Sequence, residues 1–175
     1  MILHDNIDIN DSIINGFCIA KTSTGEVLFK KHNMVVASGR KAIYNILSGL
    51  CTNPTTAPSF KFSSIKFGNN RNITTLNTTD VSVISDKDYQ YEIIDNSKDN
   101  GENNNARIEY GSDGSRYFKF SINVNAEIPA ELTELGLYFT QNGEEALFSR
   151  VVFDPIFCGP NAAVSSFTIE YYVYL

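Results

Sequence analysis

Paired carboxylates are the residues of this sequence with the clearest capacity for acid–base chemistry. They occur as three closely spaced pairs: Asp86/Asp88, Glu131/Glu134 and Glu144/Glu145. Glycoside hydrolases place two carboxyl groups roughly 5–10 Å apart across the scissile bond. Two of these pairs fall at predicted turns, where acidic residues commonly serve solubility. A glycan hydrolase acting through Glu131 or Glu134 is therefore kept as an alternative and not as the leading interpretation.

Other catalytic signatures are missing from the sequence. It contains neither glycine-rich phosphate loop (G-x-x-x-x-G-K-[ST] or G-x-G-x-x-G) and no G-x-S-x-G nucleophile elbow. His4 and His32 have no nucleophile and orienting partner at a recognisable spacing. Cys18, Cys51 and Cys158 are odd in number and far apart, which fits small hydrophobic side chains in a reducing compartment. We expect no enzymatic activity and no cofactor.

One acidic stretch has the ligand spacing of a calcium loop. Asp95, Ser97 and Asp99 alternate as oxygen ligands do in such loops. The sixth position is Asn100 where a glycine is needed, and the twelfth is Ala106 where a bidentate glutamate is needed. We expect a solvated loop and no metal site, with weak calcium binding as the alternative.

Basic residues are few in this acidic chain. Its 14 Lys and Arg against 20 Asp and Glu give a formal net charge of -6, which argues against a surface that neutralises nucleic-acid phosphates. Lys30, Lys31, Arg40 and Lys41 lie close together in sequence but lack interleaved aromatic residues for base stacking. They are either a solvated face or contacts to an acidic protein, and we treat them as candidate partner contacts. No apolar run reaches the ~18 residues of a membrane span, so no membrane partner is expected.

The remaining patterns predict a mainly β domain. Strand-like alternation is strong over Arg116–Asn125, and Asn142-Gly143 predicts a tight hairpin. The alternation changes phase across Ser63-Ser64, which a β-bulge would correct. Short strands separated by turn signals predict an antiparallel β-sandwich of jelly-roll or immunoglobulin-like type.

The first half of the chain adds one hairpin and one short α-helix to this prediction. Ile13–Lys21 and Glu26–Val36 read as two strands joined by a glycine-containing turn. Helical spacing of apolar residues predicts a helix over about residues 38–50, capped by Ser38. The apolar stripe comprises Ala42, Ile43, Ile46, Leu47 and Leu50.

Two polar segments stand apart from the predicted sandwich, which we assign as a single domain over residues 13–175. Residues 1–12 hold little apolar mass and are expected to form an arm that is loose unless a neighbour holds it. Residues 95–105 contain no apolar side chain and are expected to form a mobile hairpin tip.

The last strand carries the most informative surface feature. Phe167, Ile169, Tyr171 and Val173 share one face of Ser166–Leu175. Tyr172 and Tyr174 therefore lie on the opposite face, together with the polar residues. Tyrosine is enriched at protein interfaces because it combines a large apolar area with a hydroxyl group. This face either meets a partner or is covered by a second sheet or the helix.

Several segments, in order, resemble small structural proteins of tailed-bacteriophage virions, including the adaptor domains that carry fibres. The segments are Asn33–Arg40, Ile65–Gly68, Glu134–Phe139, Leu147–Arg150, Phe153–Ile156 and Phe167–Tyr174. In that family an N-x-V-x-x-x-G strand end precedes a helix, and an E-x-G-L-x-F … L-F-x-R-x-x-F-x-P hairpin precedes a final strand of alternating aromatic residues. The resemblance covers about Asn33 to the end of the chain.

The resemblance implies a non-enzymatic subunit of the phage tail, neck or baseplate, assembled in the host cytoplasm. Its partners would be other virion proteins and further copies of itself in a homo-oligomer or ring, with fibre anchoring as a related role. Two alternatives remain open beside it. One is a carbohydrate- or receptor-binding module, and the other is the glycan hydrolase.

Overall fold

The computed structural model describes residues 16–47, 60–85, 87–94, 105–110 and 117–174. Within these residues the chain forms one α-helix, α1 (Ala37–Leu47), and a 3-10 turn at Lys87–Tyr89. The ten strands are β1 Gly16–Thr22, β2 Val27–His32, β3 Met34–Val35, β4 Lys61–Gly68, β5 Gln90–Ile94, β6 Asn105–Tyr110, β7 Tyr117–Asn125, β8 Ala130–Gln141, β9 Glu144–Cys158 and β10 Ser166–Tyr174. The predicted arm, the calcium-like stretch at 95–99 and Cys51 lie outside the described residues.

Hydrogen-bonded ladders join these strands in the order β2-β1-β10-β7-β6-β5-β4-β8-β9-β3. The pairing is antiparallel throughout the ladders except between β5 and β6, which run parallel. This parallel pair divides the strands into two antiparallel sheets: sheet I (β2, β1, β10, β7, β6) and sheet II (β5, β4, β8, β9, β3). The predicted mainly β sandwich with one short helix is confirmed, and its jelly-roll or immunoglobulin-like type stays a prediction.

Aromatic side chains join the inner faces of the two sheets. Phe62 of β4 packs edge-to-face on Phe120 of β7, with ring centroids 5.1 Å apart. At the opposite side of the sandwich, Phe29 of β2 stacks on Phe153 of β9 at 4.1 Å. Ser149 and Tyr171 hydrogen-bond across the core, with 2.7 Å between their hydroxyl oxygens. The faces of β10 follow the prediction, since Phe167, Ile169, Tyr171 and Val173 are all buried.

The predicted strand Glu26–Val36 is two strands, which lie at opposite ends of the strand order. β2 pairs with β1 in sheet I, whereas β3 pairs with β9 in sheet II. Asn33 lies at the crossing and is tied to sheet I, because its backbone N–H donates to the Gly16 carbonyl at 3.1 Å. The prediction was wrong because no glycine or proline marks a break between Glu26 and Val36, although the chain changes sheet at Asn33.

Two local predictions in sheet II are confirmed. The pairing of β4 with β8 shifts register between Phe62 and Ser64, which places the expected bulge at Ser63. The turn between β8 and β9 has positive φ at both central residues, 54° at Asn142 and 86° at Gly143. Positive φ at both positions defines the two-residue turn whose twist matches the flanking strands.

Helix α1 confirms the predicted helix but corrects its cap and its stripe. The helix begins at Ala37, and the Ser38 hydroxyl donates to the Leu147 carbonyl instead of capping the helix. Ala42 is buried, but Ile46 is 44% exposed and does not join the predicted buried stripe. Gly39 lets the helix approach β9, since a Cβ there would clash with the Phe148 carbonyl oxygen.

The segment predicted as a hairpin tip connects parallel strands. β5 and β6 pair in the same direction, with Glu92 opposite Asn105 and Ile94 opposite Arg107. A hairpin joins antiparallel strands, so this interpretation was wrong, and the mobility expected of the loop lies outside the described residues. No helix in the described part of the chain is long and apolar enough to cross a membrane.

Candidate partner-binding face

The outer side of sheet I brings together four aromatic residues from three adjacent strands. Phe17 of β1 lies opposite Tyr172 of β10, and Tyr174 of β10 lies opposite Tyr117 of β7. Their strand neighbours point inward, so these four rings share the outward side of the pleat. All four are half-buried. We call Phe17, Tyr117, Tyr172 and Tyr174, together with Lys30, the aromatic face.

The rings of the aromatic face pack against one another. Phe17 stacks on Tyr172 with centroids 4.5 Å apart and an interplanar angle of 22°. Tyr172 and Tyr174 are nearly parallel, with 6.3 Å between centroids and an angle of 14°. Tyr117 lies 5.6 Å from Tyr172. Sugar-binding platforms need ring faces open to solvent, whereas here the faces are turned towards each other.

Lysine side chains border these rings. The Lys30 ammonium lies 4.9 Å from the Phe17 ring centroid, within the range of a cation–π interaction. Further along the same side of the sheet, Glu170 accepts from Lys21 and Lys119, each at 3.1 Å. Lys30 therefore contacts the aromatic face directly, and the Lys21–Glu170–Lys119 ion pairs lie beside it on the same side of sheet I.

Glu170 stays ionised at this position. Partial burial disfavours its charged form, but the hydrogen bonds from Lys119 and Lys21 outweigh burial and hold the pKa of Glu170 below its ordinary value of 4.5. Burial, followed by the neighbouring Glu170 charge, raises the pKa of Tyr172. The Tyr172 hydroxyl is therefore protonated and can donate a hydrogen bond.

The predicted contact residues do not form one patch. Tyr172, Tyr174 and Lys30 share the aromatic face, but Lys31 points to the other side of β2 and pairs with Asp154 at 3.7 Å. Arg40 donates from Nε to the Val35 carbonyl at 3.1 Å, which ties it to the start of its own helix. Lys41 is exposed on α1. Lys30 and Lys31 are separated because neighbouring residues of β2 point to opposite sides, and Arg40 and Lys41 are separated from both because the chain changes sheet at Asn33.

A buried ion pair on the outer side of sheet II was not anticipated. Arg150 Nε donates to Glu134 Oε2 at 2.6 Å, and the two side chains are 2% and 0% exposed. Glu134 Oε1 also accepts from the backbone N–H groups of Asn70 (3.0 Å) and Ser82 (2.7 Å). The Arg150 guanidinium donates to the Asn70 carbonyl at 3.0 Å and the Asn72 carbonyl at 2.8 Å.

This ion pair fastens the 69–83 loop onto sheet II. Beneath the loop, Val81 packs with Val36, Tyr138 and Leu147 in a small buried cluster. Gly68 leaves the space that the Glu134 carboxylate occupies, because a Cβ there would meet Glu134 Oε1. The loop therefore covers side chains that would otherwise form an outward apolar surface.

Glu134 is also unsuited to the acid–base role considered from the sequence. Its carboxylate is closed to solvent and holds an arginine and two backbone N–H groups. Glu131 binds the Arg71 guanidinium. A glycosidic acid must reach the leaving oxygen of its substrate, and the buried Glu134 carboxylate offers no such access.

A polar groove of about 570 Å³ lies on the outer side of β4 and β5. At its floor, Glu145 Oε1 accepts from the Ser63 and Ser64 hydroxyls, each at 2.8 Å, and Oε2 pairs with Lys66. Burial opposes ionisation here, but the bonds from Lys66, Ser64 and Ser63 lower the pKa of Glu145 below its ordinary value. Lys61 and Thr140 also line the groove.

The described residues contain no group of three or more His, Cys, Asp or Glu side chains placed to hold a metal ion. Cys18 and Cys158 are buried, as expected of small core side chains. His32 is exposed on β2. Comparison of the chain with protein-family models, curated proteins and solved structures gives no match in any of the three.

Proposed function

We propose that this chain is a non-enzymatic structural subunit of a tailed-bacteriophage virion, in the tail, neck or baseplate. It acts by binding further copies of itself and other virion proteins. The aromatic face carries the partner-binding part of this proposal. The resemblance of the segments from Asn33 onward carries the assignment to a virion.

The aromatic face has the composition of a protein interface. Tyrosine and phenylalanine are enriched at the centres of such interfaces, where they contribute large apolar areas at a small conformational cost. Here Phe17, Tyr172 and Tyr174 are already ordered by stacking on one another. A prearranged ring cluster loses little side-chain freedom on binding, which favours affinity.

Three of the six segments that carry the resemblance meet at one place in the fold. Ile65–Gly68 belongs to β4, Glu134–Phe139 to β8 and Leu147–Arg150 to β9, which are adjacent strands of sheet II. The Glu134–Arg150 pair joins two of these segments and Gly68 makes room for it. These three segments therefore belong to one buried anchor within sheet II, which suits the rigid body of a structural subunit.

Particle incorporation tests this function. Tyr172→Ser combined with Tyr174→Ser should leave a folded protein that fails to enter particles of the virus that encodes it. The matched control is Tyr44→Ser, since Tyr44 on α1 is 64% exposed and lies outside the aromatic face. Normal incorporation of the double variant, or absence of the wild-type chain from purified particles by mass spectrometry, would refute the proposal.

The polar groove favours carbohydrate or receptor binding as a second candidate function. Its hydroxyl, amide and carboxylate groups, including Ser63, Gln90 and Glu145, are the partners that neutral sugars use. Its volume lies within the range of small-molecule sites. Glycan-array binding that is lost in Lys61→Ala and Thr140→Ala would support this function. Binding to no glycan, or binding unchanged in both variants, would exclude it for the groove.

A further inference from the structure

The charges around the aromatic face are mainly positive and suit an acidic partner that also carries apolar side chains. The side of sheet I that carries this face holds three lysines (Lys21, Lys30, Lys119) and one glutamate (Glu170) among the side chains described above, a balance of two positive charges. The whole chain has a net charge of -6, so this surface opposes the general sign of the protein. Apolar rings and excess lysine together fit an acidic, partly apolar peptide.

Residues 1–12 of the chain have this chemistry. They carry three aspartates and neither lysine nor arginine. Ile7 and Ile9 alternate with Asp8 and Asn10, which is the spacing of an extended segment with one apolar side. Fully extended, twelve residues span about 40 Å. A strand with the nine residues of β10 spans about 30 Å, so the segment is long enough to follow the face from end to end.

The chain direction points this segment towards another molecule. Gly16 lies opposite Val173, so β1 is entered from the end of the sheet where Tyr174 lies. To cover its own face the chain would have to reverse direction before Gly16, whereas a neighbouring copy can receive the segment without a reversal.

We infer that the aromatic face binds residues 1–12 of a second copy of this chain. The inference rests on the proposed function, since it names the partner of the same face. Asp5 and Asp11, which share the side of Ile7 and Ile9 in an extended segment, approach the lysines, and the isoleucines cover Phe17, Tyr172 and Tyr174. Two copies that exchange these segments make two equivalent contacts, as a two-fold symmetric dimer requires.

Mixing two complementary variants tests this exchange in solution. The first variant lacks residues 1–12 and keeps its face. The second keeps residues 1–12 and carries Lys30→Glu, Tyr172→Ser and Tyr174→Ser. In analytical ultracentrifugation each should remain a monomer alone. An equimolar mixture should form a heterodimer that is weaker than the wild-type dimer, because it has one contact instead of two. A Tyr44→Ser chain, altered at an exposed tyrosine of α1 outside the aromatic face, should dimerise as the wild type does.

A synthetic peptide of residues 1–12 gives an independent reading. It should bind the shortened chain, and a peptide with all three aspartates changed to asparagine should bind about tenfold more weakly, as expected for the loss of several surface ion pairs. Circular dichroism of each variant checks that it is folded.

Two results would overturn the inference. One is the absence of any complex in the mixture together with equal binding of the two peptides. The other is a monomeric wild-type chain in which removal of residues 1–12 uncovers its own Tyr172. Because these measurements use purified chains, they are separate from particle incorporation. A heterodimer formed by a chain that is missing from particles would overturn the virion assignment and leave the inference standing.

Discussion

The outer sides of the two sheets both carry tyrosines and apolar residues but differ in their exposure to solvent. On sheet II, Tyr138 and Leu147 point outward and are buried by the 69–83 loop. On sheet I, Tyr172 and Tyr174 point outward and remain half-exposed. A buried ion pair and several backbone hydrogen bonds hold the loop in place on sheet II.

The chain covers the outer apolar side chains of sheet II with its own loop but leaves those of sheet I accessible. A large outward apolar patch on a free protein favours association, and covering it within the chain removes that tendency. Sheet II is covered through Glu134, Arg150 and Val81, whereas the tyrosines of sheet I are prearranged and remain accessible. The covered outer side of sheet II therefore contributes to stability, and we propose that the outer side of sheet I binds a partner.

Breaking the ion pair should give the largest effect on stability. Arg150→Met leaves the Glu134 carboxylate buried without its partner and should lower the free energy of unfolding by about 3–5 kcal/mol. Urea unfolding followed by circular dichroism measures this loss. The double variant Glu134→Leu/Arg150→Met should recover much of it, because no unpaired charge remains buried.

The matched control is Lys31→Met, which removes the exposed pair with Asp154. Exposed ion pairs contribute about 0–1 kcal/mol, so this variant should stay close to the wild type. Equal losses in Arg150→Met and Lys31→Met would contradict the role of the buried pair.

Removing one hydroxyl from each sheet sharpens the comparison. The Tyr138 hydroxyl donates to Asp80 and accepts from the Val81 N–H at 3.2 Å. Tyr138→Phe should therefore lower the free energy of unfolding by about 1–2 kcal/mol. Tyr172→Phe, on the half-exposed side, should change it by less than about 0.5 kcal/mol. Chemical denaturation of both variants checks this, and a reversed order would argue that sheet I is the covered side.

Acid sensitivity gives the smallest expected effect. The folded-state pKa of Glu170 lies below its ordinary value of 4.5, so its contribution to stability is present above that pH and is lost as pH falls through the folded pKa. Below pH 4.5, the free energy of unfolding should fall less steeply with decreasing pH in Glu170→Gln than in the wild type. The pKa of Glu145 is also lowered in the folded state, so the Glu170→Gln variant should still lose some stability as the pH falls. Urea titrations between pH 3 and 7 measure the difference, and identical slopes would exclude the two lysine contacts.

Local patterns in the sequence predicted several elements correctly. The Asn142-Gly143 turn, the bulge at Ser63 and the buried side of β10 each depend on residues adjacent in the chain. Backbone preferences and alternation are expressed over such short distances. Elements that depend on pairing between distant strands were missed, including the parallel β5–β6 pair and the change of sheet at Asn33.

The candidate site shows the same division. Tyr172 and Tyr174 were predicted as outward residues from the alternation of one strand. Phe17 and Tyr117 were not, because they join the cluster through register with β10. The Glu134–Arg150 pair was missed because the two residues meet only when β8 and β9 fold back on each other. A glutamate and an arginine on facing strands of a predicted hairpin were the available signal.

Oxidative footprinting of aromatic side chains tests the central claim most directly, because it reads the aromatic face itself. Free chain and assembled particles are exposed to hydroxyl radicals, and modification is measured by mass spectrometry. We expect labelling of Tyr172, Tyr174 and Phe17 to fall strongly on assembly. Labelling of Phe157, which is 62% exposed and lies on β9, should stay nearly constant. Equal labelling of Tyr172 and Tyr174 in both states would contradict the claim that this side of sheet I binds a neighbour.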